Sequence, residues 1–323
     1  MLQDSFARKF SYVRLSLTER CNFKCQYCLP DGYKSCAVEN PLNVDELRNL
    51  VTALVGLGIW KIRLTGGEPT LRRDLNDVLN MITQFSAIKT LAITTNAYHL
   101  SPNLASYIAN GLTNLNVSMD SLNPQRFYEI TKVNKLVEIK QSINLALQSN
   151  LESVKINSVL TVNSLVELDD FLAYIANKKV SLRFIELMQT GDNHQYFKNN
   201  YLSAKVLENE LLQRGWSVLE REDGAGPAYE YFHPNSLGKV GIIAPYSKDF
   251  CANCNRLRFT HDGALRLCLF GEQNYPLRHL MQSAEQCDEL KETIVSLVTQ
   301  KPVAHKLAEF KTGNILNLSN VGG

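Results

Sequence analysis

The order of polar and apolar stretches predicts an α/β fold: an incomplete parallel (β/α)6 TIM-like barrel, followed by a C-terminal α+β extension that carries a second Cys cluster. Three observations predict it. Strand-like and helix-like stretches alternate through the first two thirds of the chain, which implies parallel βαβ units. Several of these strands are apolar on one face and polar on the other, whereas strands of a doubly wound sheet are apolar on both. After Gly191 the alternation stops, and short strands with Gly and Pro between them take over. The expected division is therefore 1–200 for the barrel and 201–323 for the extension.

The first strand covers 12–17, with Arg14 and Ser16 on one face and Val13, Leu15 and Leu17 on the other. Asn43 then caps a helix, and Glu46 three residues on completes a capping box. Leu47, Leu50, Val51 and Leu54 form that helix's buried face, and Gly56 and Gly58 end it. A second strand over 59–65 puts Lys61, Arg63 and Thr65 on one face, and Gly66-Gly67-Glu68-Pro69 closes it. The third strand, 91–95, ends in Asn96, and Ser101-Pro102 opens a helix that stops at Gly111. The fourth places Asn116, Ser118 and Asp120 opposite Leu115, Val117 and Met119. A helix over 136–147 leads to the fifth, with Lys155 and Asn157 on one face. Asn163 is expected to cap the next helix, before a sixth strand over 180–188 that carries Arg183. The extension reads as a helix over 204–213, short strands at 216–220, 229–232 and 239–243, and a last helix over 284–300.

A complete eight-stranded barrel fills its lumen with branched apolar side chains. Here the inward face would carry Arg14, Ser16, Lys61, Arg63, Thr94, Asn116, Ser118, Lys155 and Asn157. That lining fits an incomplete barrel wrapped around a polar ligand.

Composition narrows the function. A net charge of +2 over 323 residues offers no bulk attraction for nucleic acid or membrane, so any anion site depends on local placement of Arg and Lys. No apolar run is long enough to span a bilayer, and 1–9 has no apolar signal segment. The expected location is cytoplasmic. Six of the eight cysteines fall into two clusters, Cys21, Cys25 and Cys28, then Cys251, Cys254 and Cys268, which points to metal rather than disulfides. Cys36 and Cys287 stand alone and read as packing residues.

Each cluster offers three thiols. A [4Fe–4S] cube normally takes four thiolates, so three protein ligands would leave one iron open. A structural zinc site wants four closed ligands, and His261 is the candidate fourth at the second cluster. Two glycines at 66–67 let backbone approach closely, and the Glu68 carboxylate can accept hydrogen bonds from an ammonium group. Arg256 and Arg258 alternate beside the second cluster and offer bidentate contacts to phosphate or carboxylate.

The Cys21–Cys25–Cys28 spacing, with Tyr27 before the last cysteine, resembles the signature of the radical S-adenosylmethionine (SAM) enzymes. With 61–69, 94–96, 117–121, 183–188, 251–270 and the terminal Gly322-Gly323, nearly the whole chain resembles the GTP 3′,8-cyclase family of molybdenum cofactor biosynthesis. The resemblance implies two [4Fe–4S] clusters, on Cys21, Cys25, Cys28 and on Cys251, Cys254, Cys268. It implies SAM beside Tyr27, Gly67, Glu68, Ser118 and Met188, and GTP beside Arg14, Arg63, Thr94, Lys155, Arg256, Leu257 and Arg258. Arg183 would assist a later radical step, and the Gly-Gly tail would enter the active site. A flavodoxin- or ferredoxin-type electron donor, passage of the product to cyclic pyranopterin monophosphate synthase, and a homodimer follow from the same resemblance. Two departures stand out. The family usually has Gly where this chain has Ala97, which is strained if that position needs φ > 0. Strict alternation puts Met188 opposite Arg183, so it reaches SAM only where the strand ends or bulges. The competing expectations are a radical SAM peptide maturase and a non-catalytic Fe–S or zinc protein.

Overall fold

The computed structural model describes residues 2–34, 40–221 and 225–319. Cys36 and the Gly322-Gly323 tail lie outside the described residues. A short ladder pairs Leu2–Gln3 with Lys9–Phe10. Twelve further strands form one sheet. They are β1 (Tyr12–Ser16), β2 (Lys61–Thr65), β3 (Thr90–Thr95), β4 (Asn114–Ser118), β5 (Ser153–Leu160), β6 (Ser181–Glu186), β7 (Ser217–Val218), β8 (Tyr229–Phe232), β9 (Lys239–Ile243), β10 (Arg256–Phe259), β11 (Ala264–Arg266) and β12 (Tyr275–Pro276). Their spatial order is β12-β11-β10-β1-β2-β3-β4-β5-β6-β9-β8-β7.

Strands β1 to β6 are parallel neighbours in chain order. The C-terminal part then continues the sheet at both edges, with β10 parallel to β1 and β9 parallel to β6. The outer pairs, β10–β11–β12 and β9–β8–β7, are antiparallel. In-register pairing lines up like charges on the polar face, because Arg258 pairs with Arg14 and Arg14 with Arg63.

Ten helices are described: α1 (Val44–Gly56), α2 (Leu75–Thr83), α3 (Leu100–Ala109), α4 (Pro124–Thr131), α5 (Leu136–Leu147), α6 (Val162–Val166), α7 (Leu168–Ile175), α8 (His194–Asn200), α9 (Ala204–Gln213) and α10 (Cys287–Val298). Their apolar faces and one face of the sheet share a single core, with Ile62, Leu115, Ile156 and Leu182 packed with Leu50, Val78, Ile139 and Phe171. The helices thus cover one face, and the polar face is left to line a cavity. Residues from both edges of the parallel region, Arg256 and Arg258 on β10 and Ile243 on β9, line that same cavity, so the sheet curves around it.

Local expectations hold where caps and alternation are strong. Asn43 accepts from the Glu46 amide and Glu46 from the Asn43 amide. The helices over 136–147 and 204–213 have those bounds. Four details differ. The cap before α6 is Thr161, paired with Ser164, not Asn163. The last helix breaks into a 3-10 turn, Ala284–Gln286, and α10. The strand at 180–188 stops at Glu186, which frees Met188 from the alternation. Three helices, α2, α4 and α8, carry no sequence signal singled out above.

Candidate active site

The cysteine loop leaves the C-terminal end of β1 and is braced by the loop that follows β2. The Gly67 amide donates to the Thr18 carbonyl at 2.8 Å and the Glu68 amide to the Arg20 carbonyl at 2.7 Å. A Cβ on Gly67 would stand 2.1 Å from the Arg20 carbonyl oxygen, and one on Gly66, whose φ is +139°, 2.3 Å from that of Thr18. The two glycines are required first by this contact between loops. Glu68 is buried, and its Oε1 accepts from the Thr95 hydroxyl at 2.6 Å and from the hydroxyl and amide of Thr70. Among the described residues its Oε2 accepts only the Asn96 amide, at 2.7 Å, which leaves acceptor capacity on that oxygen.

The Cys28 and Leu29 amides both donate to the Cys25 carbonyl, a tight turn that brings the last two thiols of the loop together. Burial pushes all three thiols up, Cys21 to about 11 and Cys28 to about 12, with Glu68 and Asp120 adding to it. The Tyr27 hydroxyl donates to Asp120 Oδ2 at 2.8 Å, and the Val159 amide donates to Asp120 Oδ1 at 2.8 Å. Burial raises the Asp120 carboxyl to about 6. Asn193 Nδ2 donates to the carbonyls of Tyr27 and Met188, at 2.8 and 3.0 Å, and so ties the end of β6 to the cysteine loop.

The second cysteine set is mixed: burial pushes Cys251 up, whereas nearby cations act on Cys254. Arg8 Nη1 donates to the Cys251 carbonyl at 3.1 Å, and the buried Lys301 ammonium donates to the Leu267 carbonyl beside Cys268. Burial pushes Cys254 up, but Arg256 and Lys301 outweigh it and bring the thiol down to about 7. All six clustered thiols are free and line the one cavity. Among the described residues no three His, Cys, Asp or Glu side chains converge as ligands of one metal ion do. His261 does not line the cavity, so it is not a fourth ligand there. Three soft thiols in each set that do not converge on a single ion fit a three-point grip on a cube of iron and sulfide.

The same cavity is lined by a wall of cations: Arg14, Lys61, Arg63, Lys155, Arg183, Arg256 and Arg258. Burial, with Arg183, Arg63 and Lys61 nearby, pushes the Lys155 ammonium down to about 7. Burial brings Arg63 to about 10, with Arg14, Arg183 and Arg256 working the same way. Arg183 Nη2 donates to Glu230 Oε1 at 2.9 Å. Such a cluster is costly unless anions balance it.

The structure therefore brings together every site residue expected from sequence except Leu257. The Leu257 side chain lies in the apolar core, and the residue does not line the cavity. Ser16 and Asn116, expected in the lumen, are buried and do not line the cavity. Four lining or supporting groups had no sequence-based role: Tyr12, Glu230, Lys301 and Phe250. Tyr12 alone had a usable signal, since it lies two residues before Arg14 and shares its face.

Ala97 has φ +60°, so the position usually filled by Gly does adopt the left-handed region. Cys287 opens α10 and packs against the core. No helix among the described residues is long and apolar enough to cross a membrane.

Comparison with known proteins agrees with this geometry. Residues 15–175 match the Radical SAM superfamily, and residues 180–307 match the family described as Molybdenum Cofactor Synthesis C. The GTP 3′,8-cyclase of Klebsiella pneumoniae (strain 342) is 47% identical over 326 aligned positions, covering 100% of this chain and 99% of that protein. Among solved structures, Streptococcus suis SuiB bound to its precursor peptide SuiA is similar with a TM-score of 0.57 at 14% identity, covering 90% of this chain and 67% of that one. A structure titled native anSMEcpe, with bound AdoMet and a Cp18Cys peptide, has a TM-score of 0.57 at 14% identity, covering 89% and 83%. At that identity the two structures show the fold alone. The full-length relative and the two matched segments show more: the chain belongs to the GTP 3′,8-cyclase family of the radical SAM superfamily.

Proposed function

We infer that this chain converts GTP to (8S)-3′,8-cyclo-7,8-dihydroguanosine 5′-triphosphate, the first step of molybdenum cofactor biosynthesis. The observation that carries this is a cation wall and two three-thiol sets lining one cavity. A triphosphate supplies the anions the wall lacks, in a cavity that both sets line.

With clusters on Cys21, Cys25, Cys28 and on Cys251, Cys254, Cys268, bound SAM would supply the carbon radical that takes the C3′ hydrogen of GTP before C3′ joins C8. The chain's own residues bind and orient. Glu68 Oε2 is free to accept from the ammonium of SAM, and Tyr27, Gly67, Ser118 and Met188 border the same end of the cavity. Arg14, Arg63, Lys155, Arg256 and Arg258 hold the triphosphate, and Thr94 borders it. Arg183, set apart by its pair with Glu230, assists the later step.

In the same reading the curved sheet is an incomplete barrel, with 1–200 as its radical SAM unit and 201–323 as the auxiliary-cluster unit. A flavodoxin or ferredoxin donor, delivery to cyclic pyranopterin monophosphate synthase, a homodimer and a cytoplasmic location complete it.

The fold neighbours carry peptides in their titles, and a peptide substrate is the second reading. Anaerobic incubation of the reconstituted protein with SAM, a reductant and either GTP or peptide separates the two. 5′-Deoxyadenosine that appears only with GTP is the expected result, and its absence with GTP sinks the assignment.

A further inference from the structure

Tyr12 stands at the start of β1, within the cation wall. It is 3% exposed. Its hydroxyl oxygen accepts from Arg14 Nε at 3.1 Å, and among the described residues its own hydrogen reaches no acceptor. Arg14, Lys61 and Arg63 lie 5.9, 5.3 and 5.7 Å from the ring centroid. Arg14 shares its strand, Lys61 and Arg63 come from β2, and the charge of Arg258 on β10 also interacts with it. The charges that act on it most strongly are all cations. An oxygen that only accepts, from guanidinium, among several positive charges, has the surroundings of a phosphate oxygen.

We propose that Tyr12 stands in for substrate phosphate: it bears negative charge among these cations while the triphosphate is absent, and takes up a proton when the triphosphate binds. This rests on reading the cavity as the GTP site. The exchange balances simply, since a phenolate gains one proton from solvent and no other bond changes. Burial alone pushes a phenol up, yet Arg14, Arg63 and Lys61 bring Tyr12 down to about 7. A bound polyanion neutralises those cations, removes the cause of the depression, and returns the phenol to its protonated form. The free protein is then about half ionised here at pH 7, so binding takes up about half a proton at pH 7 and close to one proton a unit higher. Lys155, also brought to about 7, gains a proton by the same event, so total uptake alone does not identify the group.

The test is GTP binding to the anaerobic, cluster-loaded full chain. Calorimetry in buffers of different ionisation enthalpy counts the protons, for the native protein and for Tyr12→Phe. The variant should take up about half a proton fewer at pH 7 and nearly one fewer at pH 8. Its affinity should fall less steeply with rising pH, by up to about tenfold per unit. Inorganic tripolyphosphate, which lacks a base, allows a spectroscopic check: its binding should bleach the near-ultraviolet phenolate band of the native protein and leave Tyr12→Phe unchanged. Failure of GTP to bind either protein overturns the substrate reading. Equal proton uptake in both proteins, or an unchanged phenolate band in the native one, overturns the role of Tyr12 and leaves that reading standing. The band is read on the native chain, so the result survives a variant that does not fold.

Discussion

Glu230 is the carboxylate that balances Arg183. It accepts from Arg183 Nη2 at 2.9 Å and from Ser181 Oγ at 3.2 Å. Burial acts to raise its carboxyl, but the Arg183 contact prevails and holds it below the usual range. The Arg183 side chain is 9% exposed and that of Glu230 28%, so the pair is partly screened. In Glu230→Gln the guanidinium stays buried with one partner charge fewer, at a cost of about 1–3 kcal/mol in the substrate-free protein. If GTP supplies anions to the same guanidinium, GTP should raise the melting temperature of the variant more than that of the native chain. Thermal melts with and without GTP check this, and equal shifts would mean that Arg183 does not meet the substrate. Nothing local in the sequence points to Glu230. It reaches Arg183 from β8, across β9, and only the strand order reveals the encounter. Arg14, Arg63 and Lys155, by contrast, were legible from alternation, because a period of two is fixed by each strand alone.

At the scale of elements, what decides legibility is whether the cause is local. The capping box at Asn43 and Glu46 is local, and it was read correctly. At the start of α6 two residues compete as caps, Thr161 and Asn163, and Thr161 wins because its own amide donates to Ser164 Oγ. The Gly66-Gly67 loop shows a cause that is not local. The sequence suggested room for a ligand, yet the nearest obstruction to a side chain is the backbone of 18–20. Gly67→Ala should therefore displace the cysteine loop itself. Backbone cannot yield as a side chain does, and overpacking of this kind costs about 1–3 kcal/mol. The expected outcome is loss of iron and sulfide from the first cluster with the second retained, measured by iron analysis and spectroscopy after anaerobic reconstitution. Unchanged iron content would show that the two loops are not coupled. Ala97 is milder: its left-handed backbone costs about 1–2 kcal/mol, offset in part because its methyl group is buried in the core.

Across the whole molecule the two sequence halves are stitched together rather than merely adjacent. Parallel pairing of β10 with β1 and of β9 with β6 joins residues far apart in the chain, and such pairing leaves no trace in either stretch alone. Side chains add a second seam. Arg278 donates to both oxygens of Glu46, at 2.7 and 2.8 Å, and Gln282 Nε2 donates to Glu46 Oε1 at 2.8 Å, fastening the C-terminal part to α1. Burial works to raise the Glu46 carboxyl, but Arg278, Gln282 and the Asn43 amide bring it down to about 2. A depressed carboxyl contributes stability that is present above its unfolded pKa and lost as pH falls towards its folded one. The window here runs from about pH 4.5 down to about 2. The Arg278 side chain is 26% exposed, so screening reduces the contribution to about 1–2 kcal/mol. Glu46→Gln can keep the acceptor of the capping box, and it removes the charge together with one acceptor oxygen. The variant should be less stable by that amount at neutral pH, and the two denaturation curves should converge as pH falls through the window. A gap that persists to pH 2 would trace the loss to packing at α1 instead of to the charge that joins the halves.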